Sequence, residues 1–431
     1  MRSRLKKISL GNWMIIGMIL GFIVGLILNF FVTDPFIKDI ILINNVFYIG
    51  GNGFIRLMKM LVVPLVFFSI VVGVASISDI KKIGSIGGRT IGLYLLTTAL
   101  AVTIAILIAS FIKPGIGLNM VGIAQANVTS NLTVTDNILG MIPDNPFYSL
   151  ANGDMLPVII FSVLIGIILA KLREETNVVN EFFKQGNTVM MEMTRIVMKF
   201  APIGIFCLMA KTFASLGFGG LIPLTKYIAC VLLALAIQAL LVYPSLLIIF
   251  TRLNPIKFFK RFFSVMFFAF SSSTSNATIP LNIEKLSEMG VPRDISSFTI
   301  PLGATINMDG TAIMQGCVVM FAAQAYGIDL GTSALLTVIF TAVMASIGTA
   351  AVPSVGLITL NMVFASVGLP IDAIGIIMGI DHILDMFRTS VNVTGDGICT
   401  IIVSFKNKAL DLDLYNGKKT PEKTWDDITQ F

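Results

Sequence analysis

Residues 381–397 read DHILDMFRTSVNVTGDG, and this stretch decides the class of fold. Its flanks are apolar, AIGIIMGI before it and ICTIIVSF after it. Five polar side chains recur at intervals of four, three, four and four residues: Asp381, Asp385, Arg388, Asn392 and Asp396. On an α-helix these positions fall within roughly 80° of arc, because each residue advances about 100°. A stripe of three carboxylates and a guanidinium is too costly to face lipid, so we expect it to face protein, water or a ligand.

The composition predicts that most of the chain lies in a membrane. Of 431 residues, 55% are hydrophobic and only 13% are charged, and the mean hydropathy is +0.90. Apolar runs near the length needed to cross a bilayer lie at 12–32, 56–78, 90–112, 154–171, 190–215 and 225–250. The net charge of +6 comes from basic residues in short loops and calls for no nucleic-acid partner. The four cysteines lack paired or metal-ligand spacing, and we interpret them as core residues: Cys207, Cys230, Cys317 and Cys399.

The placement of lysine and arginine predicts the orientation. Basic residues cluster at the N-terminus, at 81–89, at 171–173 and at 252–261, whereas the loop 113–150 holds only Lys113. Because basic loops stay on the cytoplasmic side, six spans up to residue 250 satisfy all of these clusters at once. We therefore predict a multi-pass protein of the cell (plasma) inner membrane with cytoplasmic N- and C-termini.

Two later segments share one plan. VMFFAFSSSTSNATIPLNI (265–283) and VIFTAVMASIGTAAVPSVGLITLNM (338–362) each join two apolar arms through a middle rich in small and hydroxyl residues, followed by a proline. Neither arm reaches bilayer length, which predicts re-entrant hairpins whose tips are buried in protein or line a cavity. A polar break follows each, at 305–312 and at 389–397, so we expect two broken helices in an internal repeat around a midplane site. Two kinked spans with glycine and proline defects are the plainer alternative.

The residues at these breaks suit a cation and a zwitterion. Asp309 and Asp396 supply carboxylates, and nearby amide, hydroxyl and carbonyl groups complete the oxygen set that a hard cation prefers. The small number of carboxylates favours a monovalent ion over Zn²⁺ or Ca²⁺. Arg388 offers a planar fork for a carboxylate, and Asp385, one turn earlier, offers an acceptor for an ammonium group. The alternative is an Asp385–Arg388 ion pair that holds no ligand.

The segments SSTSNATIP, NMDGTA, ASIGTAAVP and DHILDMFRTSVNVTGDG closely resemble the signatures of the dicarboxylate/amino acid:cation symporters. That family includes archaeal aspartate transporters and animal excitatory amino acid transporters, and the resemblance runs in order from about residue 10 to 405. It implies an all-α polytopic membrane protein, not an enzyme, with eight transmembrane helices and two re-entrant helical hairpins with inverted repeats. It also implies an elevator-type transporter that forms a homotrimer.

The same resemblance implies a division of the chain. Scaffold spans 1–2 would occupy 1–80, transport-domain span 3 would occupy 81–113, and an outer loop with scaffold spans 4–5 would occupy 114–222. A transport domain of span 6, hairpin 1, span 7, hairpin 2 and span 8 would occupy 223–405. A cytoplasmic tail would occupy 406–431.

The resemblance further implies the ligands of each site. It assigns Arg388 to a side-chain carboxylate of the substrate and Asp385 to the amino group. Further substrate contacts would come from Thr311, Thr389, Asn392 and the backbone near Ser275, Val352 and Gly356. Na⁺, the coupling ion, would have one site at Gly303, Asn307, Asn392 and Asp396. A second would use the carbonyls of Thr305, Met308, Ser346, Ile347 and Thr349, and a third Tyr94, Thr97, Thr98, Asn307 and Asp309. Asp381 would support Arg388.

Four positions depart from the family or carry no assigned role. Relatives have an extra arginine in the first hairpin or directly after the amino-group aspartate, where this chain has Ser273 and Met386. Gln315 stands where proton- and potassium-coupled animal members have a glutamate, which favours coupling to sodium alone. His382 lies roughly 100° from the centre of the stripe, and we interpret it as a polar packing residue.

The sequence therefore predicts a sodium-coupled secondary active symporter that takes up an acidic amino acid, aspartate or glutamate. Its partners would be that small molecule, the lipid bilayer and two further copies of the chain. A symporter for a C4-dicarboxylate or a neutral amino acid remains an alternative. An ion channel, a second class, would need a continuous polar pore, whereas these polar residues concentrate at one depth. An intramembrane aspartyl protease, a third class, would account for TGDG at 394–397 but gives Arg388 and the two hairpins no role.

Overall fold

The computed structural model describes residues 10–32, 34, 36–77, 85–118, 142–153, 155–172, 175–216, 221–347, 356–370 and 372–419. Every regular element within these ranges is a helix. In chain order they are α1 (Leu10–Phe31), a π-helical segment (Phe36–Phe47), α2 (Tyr48–Ile77), α3 (Ser85–Ile112), α4 (Pro146–Asn152), α5 (Met155–Leu172), α6 (Asn177–Met198), α7 (Ala201–Leu216), α8 (Leu221–Ile237), a π-helical turn (Gln238–Val242), α9 (Tyr243–Thr251), α10 (Pro255–Ser272), α11 (Ser275–Glu288), α12 (Arg293–Ile306), α13 (Asp309–Tyr326), α14 (Thr332–Ser346), α15 (Gly356–Ser366), α16 (Asp372–Lys406) and α17 (Leu412–Asn416).

Membrane-compatible helices are present. By length and composition, three stretches of the described residues can cross a bilayer: Ile86–Ile112, Ile222–Thr251 and Arg293–Tyr326. Two helices, Asn177–Val197 and Ala201–Ser215, form a fourth only if taken together, and they are bent by 52°. The predicted span at 190–215 is therefore wrong as a single helix. Pro202 lies at the second position of α7, where its missing N–H and its ring prevent the α6 hydrogen-bond ladder from continuing.

The helices pack in two sets, which meet where α16 contacts α1 and α7 and where α15 contacts α2. In the first, α1 lies along α7, and α2 packs against α5, α6 and α7. Gly17, Gly21 and Gly25 recur every four residues on the α1 face, and a Cβ at any of them would overlap the α7 backbone. Small residues at this spacing let two helices approach closely. In the second set, α16 packs against α3 and α8 to α13, and α3 packs against α13.

The first predicted hairpin is a pair of helices joined by a two-residue turn. α10 ends at Ser272, Ser273 takes a left-handed φ of 50°, and Thr274 is extended before α11 begins. At the opposite end, the Arg261 Nη2 atom donates to the Glu288 carbonyl at 2.8 Å, so the helices run antiparallel. In the second predicted hairpin α14 contacts α15, and the predicted tip lies outside the described residues. The depth of either hairpin in a membrane stays a prediction.

The first predicted polar break is confirmed, and the second is wrong. Asn307 and Met308 leave the helical conformation between α12 and α13. By contrast, α16 runs without interruption from Asp372 to Lys406, so the backbone at Asp396 itself is helical. The glycines around Asp396 serve close packing instead. A Cβ on Gly395 would overlap the Tyr243 hydroxyl, and one on Gly397 would overlap the Phe262 ring.

Candidate functional site

The polar stripe lies on the buried face of α16. Asp381 and Arg388 are fully buried, and the most exposed of the five, Asp385, has a relative exposure of 8%. The stripe therefore faces protein, in agreement with the high free-energy cost of exposing charged side chains to lipid. Its register is that of one continuous helix, which places each polar side chain one turn from the next.

Arg388 lies between two carboxylates of its own helix. Its Nη2 atom donates to Asp385 Oδ1 at 2.8 Å, and its Nη1 atom lies 2.7 Å from Asp381 Oδ1. Long side chains on a helix point back towards its N-terminus, which brings the guanidinium to residues three and seven positions earlier. The Asp385–Arg388 ion pair that was the alternative to a bound ligand is thus present, and Asp381 also contacts the guanidinium. Because of this contact with Asp381, Arg388 keeps a carboxylate partner when Asp385 binds another group.

The break between α12 and α13 carries a buried cluster of oxygen atoms. The Thr98 hydroxyl donates to Asp309 Oδ1 at 2.6 Å, and Thr97 Oγ1 lies 3.4 Å from that atom. Thr97 Oγ1 also lies 3.1 Å from Asn307 Oδ1. Four oxygens from α3 and the break thus converge, and hydroxyl groups rotate to present either a proton or a lone pair. Hard cations prefer such oxygen sets.

A second carboxylate lies on the other side of Asn307. The Asn307 Nδ2 atom donates to Asp396 Oδ1 at 2.9 Å. A Cβ on Gly303 would overlap that same carboxylate oxygen and would lie 2.7 Å from the Tyr94 hydroxyl. Only glycine lets α12 approach the carboxylate this closely. In the described part of the chain, neither Asp309 nor Asp396 is ion-paired with a basic side chain, and a buried carboxylate without a counter-charge is costly.

The break also contacts the stripe directly. The Gly310 N–H donates to Asn392 Oδ1 at 2.7 Å, which satisfies one free N–H group at the start of α13. A Cβ on Gly310 would lie 2.7 Å from the Arg388 Cα atom. Asn392 also directs its Nδ2 atom to the Met308 sulfur at 3.3 Å. Met308, Gly310 and Asn392 therefore connect the oxygen cluster around Asp309 to Arg388.

Most of the remaining predicted site residues are buried. Thr311 and Thr389 are buried, and Gly356 packs so closely on Thr311 that a Cβ would lie 2.8 Å from its methyl group. Ser275 is buried at the start of α11. The hydroxyls of Thr305 and Ser346 bond within their own helices, to Leu302 and Val343, so their joint site stays a prediction. Met308 and Ile347 are buried. Val352 and Thr349 lie outside the described residues.

Two residues that the sequence reasoning missed complete the Asp309 environment. The Gln238 Nε2 atom donates to Asp309 Oδ2 at 3.1 Å, and the Tyr243 hydroxyl donates to the same atom at 2.8 Å. Gln238 opens the π-helical turn, and Tyr243 follows it. Such turns frequently occur at functional sites. A signal was available, because Gln238 is a lone amide in the apolar run LALAIQALLV, and a buried polar residue there needs a partner.

The chain is similar to known transport proteins over most of its length. A sequence profile described as the sodium:dicarboxylate symporter family matches residues 10–405. The chain belongs to this family. It is 36% identical to the proton/sodium-glutamate symport protein of Geobacillus stearothermophilus, over 93% of this chain and 95% of that protein. It is 34% identical to the proton/glutamate-aspartate symporter of Escherichia coli (strain K12), over 92% and 93%. It is 32% identical to a C4-dicarboxylate transport protein of Cupriavidus necator, over 84% and 85%.

In this member of the symporter family, Gln315 holds two helices together. Its Nε2 atom donates to the Thr359 hydroxyl at 2.9 Å, which links α13 to α15. The side chain is buried and carries no ionisable group. The structure therefore gives this position a packing role between α13 and α15.

Proposed function

We propose that this symporter uses a Na⁺ gradient to take up an acidic amino acid, aspartate or glutamate. The observation that carries the proposal is the buried Arg388, paired with two carboxylates and in contact with a cluster that holds buried carboxylates without basic partners. The guanidinium suits the side-chain carboxylate of an acidic substrate, because its planar fork bonds both oxygens. The lone carboxylates suit cations.

The substrate enters by exchanging partners with the internal ion pair. Its side-chain carboxylate takes the place of Asp385 on Arg388, and its ammonium group takes Asp385. Asp381 stays on Arg388 throughout. The proposed further contacts are Thr311, Thr389, Asn392, Ser275, Val352 and Gly356. A neutral amino acid has no side-chain carboxylate to replace Asp385 on Arg388. A C4-dicarboxylate has no ammonium group to bind Asp385.

Sodium binds at two sites that contain the lone carboxylates and at a third that is made of backbone carbonyls. One proposed site uses Tyr94, Thr97, Thr98, Asn307 and Asp309, another uses Gly303, Asn307, Asn392 and Asp396, and a third uses Thr305, Met308, Ser346, Ile347 and Thr349. Asn307 belongs to the first two sites, so ions bound there hold the non-helical residues Asn307 and Met308 in one conformation. Gly310 then transmits that order, because it contacts both Asn392 and Arg388. Coupling of ion and substrate follows from this short path. The neutral Gln315 favours sodium alone as the coupling ion.

The larger architecture belongs to the same proposal. Eight spans and two re-entrant hairpins lie in the cell inner membrane, with both termini cytoplasmic and three copies in a homotrimer. The division into scaffold and moving transport domain, with the boundaries given above, is supported by the two sets of packed helices. The second set, together with α14 and α15 of the second hairpin, slides as an elevator against the first.

Uptake into proteoliposomes tests the proposed function. Under an inward Na⁺ gradient, radiolabelled aspartate or glutamate is expected to accumulate, and a Na⁺ ionophore is expected to abolish accumulation. Succinate and serine serve as the C4-dicarboxylate and the neutral amino acid. Accumulation of succinate alone identifies a dicarboxylate carrier, and downhill flux without concentration identifies a channel; either result contradicts the proposal.

Tyr243→Phe is expected to weaken sodium binding without altering the substrate contacts. The change removes the hydroxyl that donates to Asp309 Oδ2 and leaves the ring in place. Loss of a group that orients a metal ligand costs about 10- to 100-fold in metal affinity. We therefore expect the Na⁺ concentration for half-maximal aspartate binding to rise roughly tenfold, with aspartate affinity at saturating Na⁺ unchanged.

Tyr415→Phe is the matched control for this variant. Tyr415 is also fully buried, and its hydroxyl donates to the Asn254 carbonyl at 3.0 Å, outside the stripe and the oxygen cluster. The control is expected to keep the parental Na⁺ dependence. Equal Na⁺ dependence in both variants would show that the Tyr243 hydroxyl does not position Asp309.

A further inference from the structure

A cavity lies apart from the proposed substrate and sodium residues, at the ends of three helices. Its volume is about 280 Å³, and it opens where α3 begins and where α9 and α16 end. Leu93, Leu96, Phe250 and Ile402 form apolar walls. Arg89 and Lys406 contribute the two charged side chains of the lining. The cavity thus has an apolar body and a strongly basic end.

The two cations are held in place by contacts within the chain. The Arg89 Nη1 atom donates to the Lys406 carbonyl at 3.1 Å and to Asn407 Oδ1 at 2.9 Å. The Lys406 ammonium lies 5.7 Å from the centre of the Phe250 ring. Among the described residues, no carboxylate pairs with either one. Within the described part of the chain, both positive charges are therefore available to an anion.

The walls select an amphiphile over a small anion. Leu96 has a relative exposure of 42% and belongs to one of the stretches able to cross a membrane. The cavity is too small to enclose a long acyl chain, so such a chain continues from its walls into the bilayer. The basic loops place these helix ends on the cytoplasmic side, whose leaflet is rich in anionic lipid. A basic pocket between spans on that side suits an anionic headgroup.

We propose that this cavity binds an anionic phospholipid. The phosphate lies between Arg89 and Lys406, and the acyl chain follows Leu93, Leu96 and Phe250. Because Arg89 also bonds the end of α16, the lipid fastens the start of α3 to the helix that carries the substrate stripe. The proposal rests on the membrane placement under "Proposed function" and not on the identity of the transported substrate.

Direct lipid binding tests the proposal on the purified full-length protein, without Na⁺ or substrate. Phosphatidylglycerol is titrated in neutral detergent and retained lipid is counted by native mass spectrometry, with phosphatidylcholine as the uncharged comparison. Lys406→Gln is expected to weaken phosphatidylglycerol binding about fivefold, since one basic residue near a membrane surface contributes about that factor. Leu96→Trp, which fills the cavity and keeps both cations, is expected to weaken it as well. Lys408→Gln removes the same charge two residues away, outside the cavity lining, and is expected to bind as the parent does.

Several results would overturn the lipid assignment. One is equal retention of the two lipids, and another is equal weakening by Lys406→Gln and Lys408→Gln. Competition by soluble glycerol phosphate at matched concentration would identify a free phosphate ester as the ligand. Binding only after removal of residues 420–431 would identify the chain's own tail as the occupant. None of these outcomes bears on Na⁺-driven uptake, so failure here is distinguishable from failure of the proposed function.

Discussion

Arg388→Ala is expected to abolish high-affinity binding of aspartate and glutamate. The change removes the only guanidinium of the stripe and leaves Asp381 and Asp385 without their shared partner. Truncating one member of a buried, hydrogen-bonded charge pair costs about 2–5 kcal/mol, which corresponds to roughly 30- to 5,000-fold in Kd. Equilibrium binding of radiolabelled aspartate at saturating Na⁺ measures the effect. Arg388→Lys, which keeps the charge and loses the fork, is expected to fall between the parent and the alanine variant.

The control for this experiment is an arginine with the same local geometry outside the site. Arg195 pairs with Glu192 at 2.9 Å, also three residues earlier on its helix, but both side chains are more than half exposed. Arg195→Ala is expected to leave aspartate binding unchanged, because exposed pairs contribute little. Thermal unfolding of each purified variant separates loss of binding from loss of fold. A folded Arg388→Ala protein with parental aspartate affinity would refute the role given to this residue.

Asp309→Asn is expected to weaken sodium binding and so to raise the Na⁺ concentration that aspartate binding requires. Gln238 Nε2 and the Tyr243 hydroxyl both donate to Oδ2, so the new amide oxygen turns towards them. The new NH₂ group then faces Thr97 and Thr98. A hydrogen-bond donor therefore stands where the carboxylate offered Na⁺ an oxygen ligand. Removing one partner of a buried charge pair costs about 3–5 kcal/mol, on the order of 10²- to 10³-fold. We expect the Na⁺ concentration for half-maximal aspartate binding to rise by that order.

Asp294→Asn is the matched control for the sodium prediction. Asp294 lies in the first turn of α12, the helix that ends at the same backbone break, and its side chain is exposed. Its loss removes only a favourable interaction with the helix dipole, about 0.3–1 kcal/mol. The Na⁺ dependence of aspartate binding should therefore match that of the parent. If Asp309→Asn also keeps the parental Na⁺ dependence, sodium is not coordinated at this carboxylate.

The sequence predicted the stripe and the first break because both depend on local rules. A charged residue in an apolar helix must face protein, and spacings of three and four put Asp381 to Asp396 on one face whatever the tertiary fold. The NMDG segment interrupts a long apolar run with two polar residues and a glycine, and the chain does leave the helix there, at Asn307 and Met308. The Arg388–Asp385 pair likewise follows from i, i+3 geometry.

The errors arise where tertiary packing decides the outcome. Gly395 and Gly397 indicated unwinding, yet they let Tyr243 and Phe262 approach an intact helix. The run at 190–215 is apolar enough to span, yet Pro202 divides it into two helices. The partners of Asp309 on the π-helical turn lie 66 and 71 positions away in the chain, and no local pattern pairs residues at that separation. Single polar residues inside apolar spans are the useful signal in such cases.

Linked binding of sodium and substrate to the purified protein tests the central claim most directly. The Kd of L-aspartate is measured by equilibrium dialysis over a series of Na⁺ concentrations, with choline replacing Na⁺ at constant ionic strength. The proposed contact from the sodium cluster through Gly310 to Arg388 predicts that the Kd falls as Na⁺ rises, and linkage requires that aspartate tighten Na⁺ binding by the same factor. A Kd for aspartate that is the same in Na⁺ and in choline would contradict the account.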